Sequence, residues 1–188
     1  MAEELEEAVK SEDKKIALII AILALFLALS EAGAKNAQHR STEQNIESSD
    51  LYNFYQAKKI RSSILENDIV QLKLAKIANS DPKVAEANDK QIETWEKTIE
   101  RYETEPKDGL KALDERAKEA SEGRELSNHR LEHYEMASGL LQIAIVLASA
   151  SIITGIALLA WFSGLLGLLG AGLMAFGFFA PTMLHFLG

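Results

Sequence analysis

The sequence predicts an all-α membrane protein: three transmembrane helices, with an antiparallel coiled-coil hairpin stalk inserted between spans 1 and 2. Three observations carry this reading. From Met136 to Gly188 there is not one Asp, Glu, Lys or Arg, a run of 53 residues in a chain that is 26% charged. Such a run is too long for the core of a small soluble domain. It suffices for two passes through a hydrocarbon layer of about 30 Å at about 1.5 Å per residue. A second charge-free run, Ile16 to Ser30, lies near the other end. Between them, residues 35–79 hold neither Pro nor Gly and are rich in Gln, Lys, Ala, Glu and Leu, all good helix formers.

The elements follow in order. Residues 1–15 are an acidic tail with six acids and three lysines. Residues 16–34 form the first span, short in its apolar part but extended by snorkelling of Lys14 and Lys15 and by Ala32-Gly33-Ala34. A cleaved signal peptide is the rival reading, since Ala32-Gly33-Ala34 has the small-residue pattern of a cleavage site. The acids before the run speak against it, and an uncleaved anchor is expected.

Residues 35–135 are read as the stalk. Helix 35–79 rises about 68 Å, and helices 83–104 and 108–135 laid end to end return about 75 Å, which suits a hairpin with its tip at Asn79–Pro82. Asp81 is the N-cap and Pro82 the first helical residue of the return arm. There Ala85, Asn88, Ile92, Trp95, Ile99 and Tyr102 alternate three- and four-residue steps, the spacing of a coiled-coil seam. Glu105-Pro106-Lys107-Asp108-Gly109 breaks the arm. The seam resumes through Leu110, Leu113, Ala117, Ala120, Arg124, Ser127, Leu131 and Tyr134.

The second span is placed at 136–162 and the third, with an interfacial C-terminus, at 163–188. The turn is expected at Ser163-Gly164, with Trp161 and Phe162 at an interfacial hairpin tip. Pro181 ends the last helix. The apolar part of that third segment, Leu165 to Ala180, reaches only about 24 Å, so a re-entrant hairpin is its rival reading.

Composition excludes several function classes. The net charge is −8 and the bases are dispersed, with never more than two adjacent, so no nucleic-acid footprint is present. The chain has no cysteine, which removes disulfides, thiol catalysis and Cys-type zinc sites. No Ser-His-Asp arrangement, phosphate loop or Gly-rich nucleotide motif occurs.

Three segments carry a resemblance: Lys14-Lys15-Ile16-Ala17-Leu18, then Phe54-Tyr55-Gln56-Ala57-Lys58 with Ile60-Arg61, and Leu141-Gln142-Ile143-Ala144-Ile145-Val146-Leu147-Ala148-Ser149 running on to Thr154-Gly155. In these the chain resembles, over nearly its whole length, a bacterial membrane-protein family catalogued only as a domain of unknown function. The resemblance implies one N-terminal anchor, a helical middle and two C-terminal spans. It brings no activity and no functional residue.

Three constellations remain to be weighed. Glu125, His129 and His133 at i, i+4 and i+8 could hold zinc or iron, with His39 as a further ligand. The Glu-x-x-His pattern of di-iron bundles is missing, so a solvated face is the stronger reading and no metal or cofactor is expected. Glu31, at the end of the first span, reads as an ion pair with Lys35 rather than a proton relay. Gln142, one turn inside the second span, is expected to bond to a neighbouring helix. Small residues form stripes at Ala17, Ala21, Ala24 and Ala28 and at Ser163, Gly167, Ala171 and Ala175, which let backbones approach and drive association in lipid.

The functional expectation is a non-catalytic membrane-anchored scaffold, either a homo-oligomer or an accessory subunit of a membrane complex. A small oligomeric channel or transporter is the alternative, and an enzyme resting on the His129/His133 face comes third. The partners implied are membrane lipid and other membrane subunits or copies of the chain. Localisation is expected in a bacterial inner membrane, multi-pass. Lys14 and Lys15 argue for an inside N-terminus; Arg124 and Arg130, with the uncharged Trp161–Gly164 loop, argue for a cytoplasmic stalk.

Overall fold

Among the described residues four helices follow one another: α1 (Ala2–Ala78), α2 (Pro82–Thr104), α3 (Leu110–Thr154) and α4 (Ala157–Phe179). The computed structural model describes residues 2–78 and 81–183, with side chains described from Asp13 onward. Most side chains of the acidic tail, the expected tip residues Asn79 and Ser80, and the C-terminal residues 184–188 lie outside the described residues. Three helices, α1, α3 and α4, are long and apolar enough to cross a membrane. No strand occurs among the described residues.

The helix boundaries have local causes. Asp81 caps α2 by accepting a hydrogen bond from the Lys83 amide at 2.9 Å, and Pro82 supplies a φ already suited to the first turn. Residues 105–109 separate α2 from α3 with two tight amide bonds, Glu105 to Arg101 O and Gly109 to Glu105 O. A Cβ on Gly109 would lie 2.5 Å from that Glu105 oxygen, so no other residue fits this loop. α1 runs through Ala32-Gly33-Ala34 without interruption. Gly33 leaves room there for the Tyr134 ring, whose carbons a Cβ would meet at 2.9 Å.

The expected turn at Ser163-Gly164 is corrected. α3 ends at Thr154, and the connection is Gly155-Ile156. Gly155 has φ +70°, a left-handed conformation that ends helices at low cost only in glycine. Ser151 Oγ donates to the Ile156 carbonyl at 3.0 Å and closes the turn. The boundary at 162/163 therefore falls inside α4, and Trp161 and Phe162 sit on its outer face rather than at a hairpin tip. With its start at Ala157, α4 has 23 residues, about 34 Å, which removes the length argument for a re-entrant segment. It ends at Phe179, two residues before Pro181.

The packing divides into two units, Glu43–Gly123 and the combination of Met1–Thr42 with Arg124–Gly188. In the first, the charged unit, α1 turns Ser48, Leu51, Tyr55, Lys58, Ser62, Leu65, Ile69, Leu72 and Lys76 inward, alternating four- and three-residue steps. α2 answers with Ile92, buried, and with Ala85, Asn88, Trp95, Ile99 and Tyr102, half-buried. From α3 come Leu110, Leu113, Ala117 and Ala120. Leu51, Leu113 and Ala117 form one cluster with Tyr55 against it. The cross-helix pairs run in opposite senses: Lys76–Asp89 at 2.5 Å, Lys73–Glu96 at 3.3 Å, Lys58–Glu105 at 3.0 Å, then Ser48 Oγ to Ala117 O at 3.1 Å.

In the second, the apolar unit, α4 lies against α3 with a seven-residue beat. Ser163 donates to the Ala144 carbonyl at 2.7 Å; a Cβ on Gly170 would meet Ala137 O at 3.2 Å; one on Gly177 would meet His133 Cβ at 2.9 Å. Between these, Gly167 faces Leu23 of α1. Leu23, Leu141 and Ala144 form the centre, with Phe26, Leu27, Ile145 and Leu166 around it. Ser30 ties α1 to α3 by donating to the Tyr134 carbonyl at 2.9 Å.

Candidate functional site

The seam residues all face inward. Ile92, Leu113 and Tyr134 are buried, and Trp95, Ile99, Tyr102 and Leu131 are half-buried. The most heavily furnished position, however, is one that the sequence did not single out. Lys58 lies on the inward row of α1 and is 5% exposed. Its Nζ donates to Glu105 Oε2 and to the Asp108 carbonyl, and the rings of Phe54 and Tyr102 stand 5.0 and 5.6 Å away. One ammonium thus fastens the 105–109 loop to α1. Burying a lysine is costly unless its charge is paired and its donors are used, and here a carboxylate, a carbonyl and two aromatic faces receive it. The signal was present: Lys58 is four residues after Phe54 and continues the seven-residue row of Leu51 and Leu65. A charged residue on such a row reads as an interruption until its partner is known.

The outer ion pairs are of a different kind. Glu93–Lys97 and Asp114–Lys118 bridge single helix turns at 2.6 Å. The hydrogen bond from Lys97, then its charge, holds the Glu93 carboxyl below its ordinary value, and the same bond raises Lys97. Lys118 is raised in the same way by Asp114. These pairs are solvated and act on α2 and α3 locally.

Glu125, His129 and His133 are not brought together. Glu125 is exposed, His129 half-buried and His133 buried, and no three His, Asp or Glu side chains among the described residues are grouped to hold a metal ion. A four-residue repeat advances 40° per step on a 100° helix, so the stripe winds from solvent into the core. His129 Nδ1 sits 4.0 Å from Glu132, and His39 is exposed on α1.

The same drift divides the second small-residue stripe between the inside and the outside of the chain. Ser163 and Gly167 are buried, but Ala171 is half-buried and Ala175 exposed. The packed stripe is Ser163, Gly167, Gly170 and Gly177, which alternates steps and stays on one face. Ala17, Ala21, Ala24 and Ala28 are all exposed and take no part in packing within the chain. Gln142 is exposed too, so its expected bond to a neighbouring helix is not made within the chain. Glu31 and Lys35 are both exposed and form no ion pair with each other, consistent with the small gain from pairing two solvated groups.

Two cavities mark the ends of the apolar unit. One, of about 260 Å³, is walled by Asn36 and Arg40 of α1, Ser127, Arg130 and Tyr134 of α3 and Phe178 of α4. The other, about 510 Å³, holds Asp13, Lys15 and Trp161 near the Gly155 turn.

Fold and site together define an all-helical chain with three helices able to cross a membrane, held by small-residue contacts in one unit and by a buried-lysine clasp in the other. Residues 12–180 match the model of a family described as a domain of unknown function, DUF4337, and the chain belongs to that family. No curated protein and no solved structure matches the chain.

Proposed function

We propose that the protein is a multi-pass scaffold of a bacterial inner membrane, non-catalytic, whose apolar unit lies in the bilayer and whose charged unit is an antiparallel coiled-coil hairpin in water. The observation that carries this reading is how the buried polar side chains are spent. Ser30, Ser48 and Ser163 donate to carbonyls of a facing helix, Ser151 closes the α3–α4 turn, and Lys58 clasps a loop. These groups build helix-to-helix ties rather than line a path. Of the remaining hydroxyls of the second span, Ser149 and Thr154 bond back onto carbonyls of their own helix, and Ser138 is buried without a bond to another group among the described residues. A channel or transporter would need such groups facing an aqueous route.

Association with further copies or subunits is part of the same proposal. The exposed Ala17/Ala21/Ala24/Ala28 stripe and the outward Gln142 support it, because small and polar residues on an outer face in lipid favour helix contacts. Mass determination in mild detergent tests it. A wild-type assembly larger than one chain that shrinks in Ala21→Leu/Ala24→Leu supports the homo-oligomer. A single chain that co-purifies with other membrane proteins supports the accessory subunit, and a lone monomer sinks both. Ion flux in liposomes at wild-type protein levels would favour the channel instead. The side on which the hairpin lies is read from Thr104→Cys, clean because the chain has no cysteine. Protection from an impermeant maleimide in intact spheroplasts is the expected result.

A further inference from the structure

We propose that the cavity between Arg40 and Arg130 binds a phosphate group, that of an anionic phospholipid headgroup. The inference rests on the membrane reading above and adds a ligand class to it. Eight residues line the site, and Asn36, Arg40, Ser127, Arg130, Tyr134 and Phe178 are those with polar or aromatic side chains. Two are arginines and none of the lining residues is acidic. Arg130 is half-buried, and its Nε is buried with no hydrogen-bond partner among the described residues. Its buried Nε carries a desolvation cost, and the planar fork of the guanidinium matches a phosphate. Arg40 stands exposed at the rim as the second cation, with the Asn36 amide beside it as a neutral donor.

Location selects the source of the phosphate. The charge-free run of α1 ends at Ser30, and that of α3 begins after Glu135. Gly33, Asn36 and Arg130 therefore stand one or two turns outside the apolar segments, at headgroup depth. Tyr134 and Phe178 complete the wall on the apolar side, as aromatic rings do at membrane interfaces. A volume of about 260 Å³ suits a phosphodiester headgroup and lies below the range usual for whole small-molecule ligands of about 300–1,000 Å³. The larger cavity at the other end makes the contrast: it carries Asp13 as well as Lys15 and so has no net charge to offer an anion.

The test uses the full-length protein in mild detergent and native mass spectrometry with added phosphatidylglycerol or phosphatidylcholine. Wild type should retain phosphatidylglycerol at least about tenfold better than Arg40→Gln/Arg130→Gln. Lys14→Gln/Lys15→Gln removes the same charge at the opposite end and should behave as wild type. Equal retention by wild type and the arginine variant overturns the proposal. Calorimetry with inorganic phosphate separates the sources: heat from free phosphate, lost in the arginine variant, without lipid retention would overturn the lipid assignment. If the double variant fails to fold, Asn36→Asp places a carboxylate at the wall and should also expel the lipid; undiminished retention in it counts against the site. Flotation with neutral phosphatidylcholine vesicles keeps the two readings apart. A wild type that floats but discriminates against neither lipid loses the cavity and keeps the membrane.

Discussion

The two units solve the same problem, holding long helices side by side, with opposite chemistry. In the charged unit large side chains do the packing: Leu51, Ile69, Ile92 and Leu113 are buried, Trp95 and Tyr102 half-buried, with lysine–carboxylate pairs along the edges. In the apolar unit the contacts are made by what is missing. Ser163, Gly170 and Gly177 bring α4 close enough to meet backbone and side-chain atoms of α3, and Gly167 admits Leu23 of α1, while Leu158, Leu165, Leu168 and Phe179 point outward. Water explains the difference. Burying Leu and Trp is favourable where the alternative is water, but in a hydrocarbon layer a leucine gains nothing by turning inward. There close dispersion contact and hydrogen bonds decide, which favours small residues where two helices touch.

If that contrast is right, adding bulk should do most harm where the packing is closest. Gly170→Leu would press its side chain against Leu141 Cγ at 2.9 Å and the Ala137 carbonyl at 3.2 Å, and a carbonyl in a helix cannot retreat. Overpacking of this sort costs up to about 3 kcal/mol, occasionally more. We expect early thermal loss of helicity in detergent, whereas Ala175→Leu, on the exposed side, should melt with wild type. Equal melting of the two would break the small-residue account of the apolar unit.

Next in size is the clasp of the charged unit. Lys58→Met keeps the stem but removes the ammonium from Glu105 and the Asp108 carbonyl, a loss of about 2 kcal/mol for a charge-assisted bond made in a buried site. Residues 105–109 should then exchange amide hydrogens faster, with the apolar unit unchanged. Lys58→Arg should recover little, since a planar fork does not fit a site built for a point charge.

Trp95→Ala is expected to cost less, about 1–2 kcal/mol, because the ring is half-buried and a cavity beside solvent collapses or fills with water. Limited proteolysis should cut near Glu105–Lys107 faster than in wild type. An unchanged rate would mean that the ring serves a partner rather than the seam.

The smallest effect sharpens the contrast by pH. Glu93 is held below its ordinary 4.5 by Lys97, so its stabilisation is present above that pH and is lost as pH falls through the lowered value. Glu93→Gln should therefore lower the helicity of α2 slightly at neutral pH and match wild type in acid. The segment from Met136 to Met183 has no Asp, Glu, Lys or Arg, and its helicity should not follow that titration.

By itself the sequence determined what depends on local chemistry or on long-range composition. Charge-free runs of the right length marked three helices able to cross a membrane, because the cost of burying charge in hydrocarbon needs no partner to be known. Asp81-Pro82 and the 105–109 break mark true helix ends because capping and proline act within a few residues. The 3–4 rows of α2 and α3 were legible because a seam of period 3.5 repeats on one face. What only the tertiary structure decided is which of several equivalent stripes faces inward. Ala17/Ala21/Ala24/Ala28 and Ser163/Gly167/Gly170/Gly177 look alike as lists of small residues, yet the first is outside and the second is the contact. The turn was expected at Ser163-Gly164, whereas the chain turns at Gly155-Ile156 and Ser163 instead packs closely against Ala144. Lys58 shows the same limit most sharply. A lysine on an apolar row carries no mark of its fate, and Glu105, 47 positions along the chain, is what makes its burial possible.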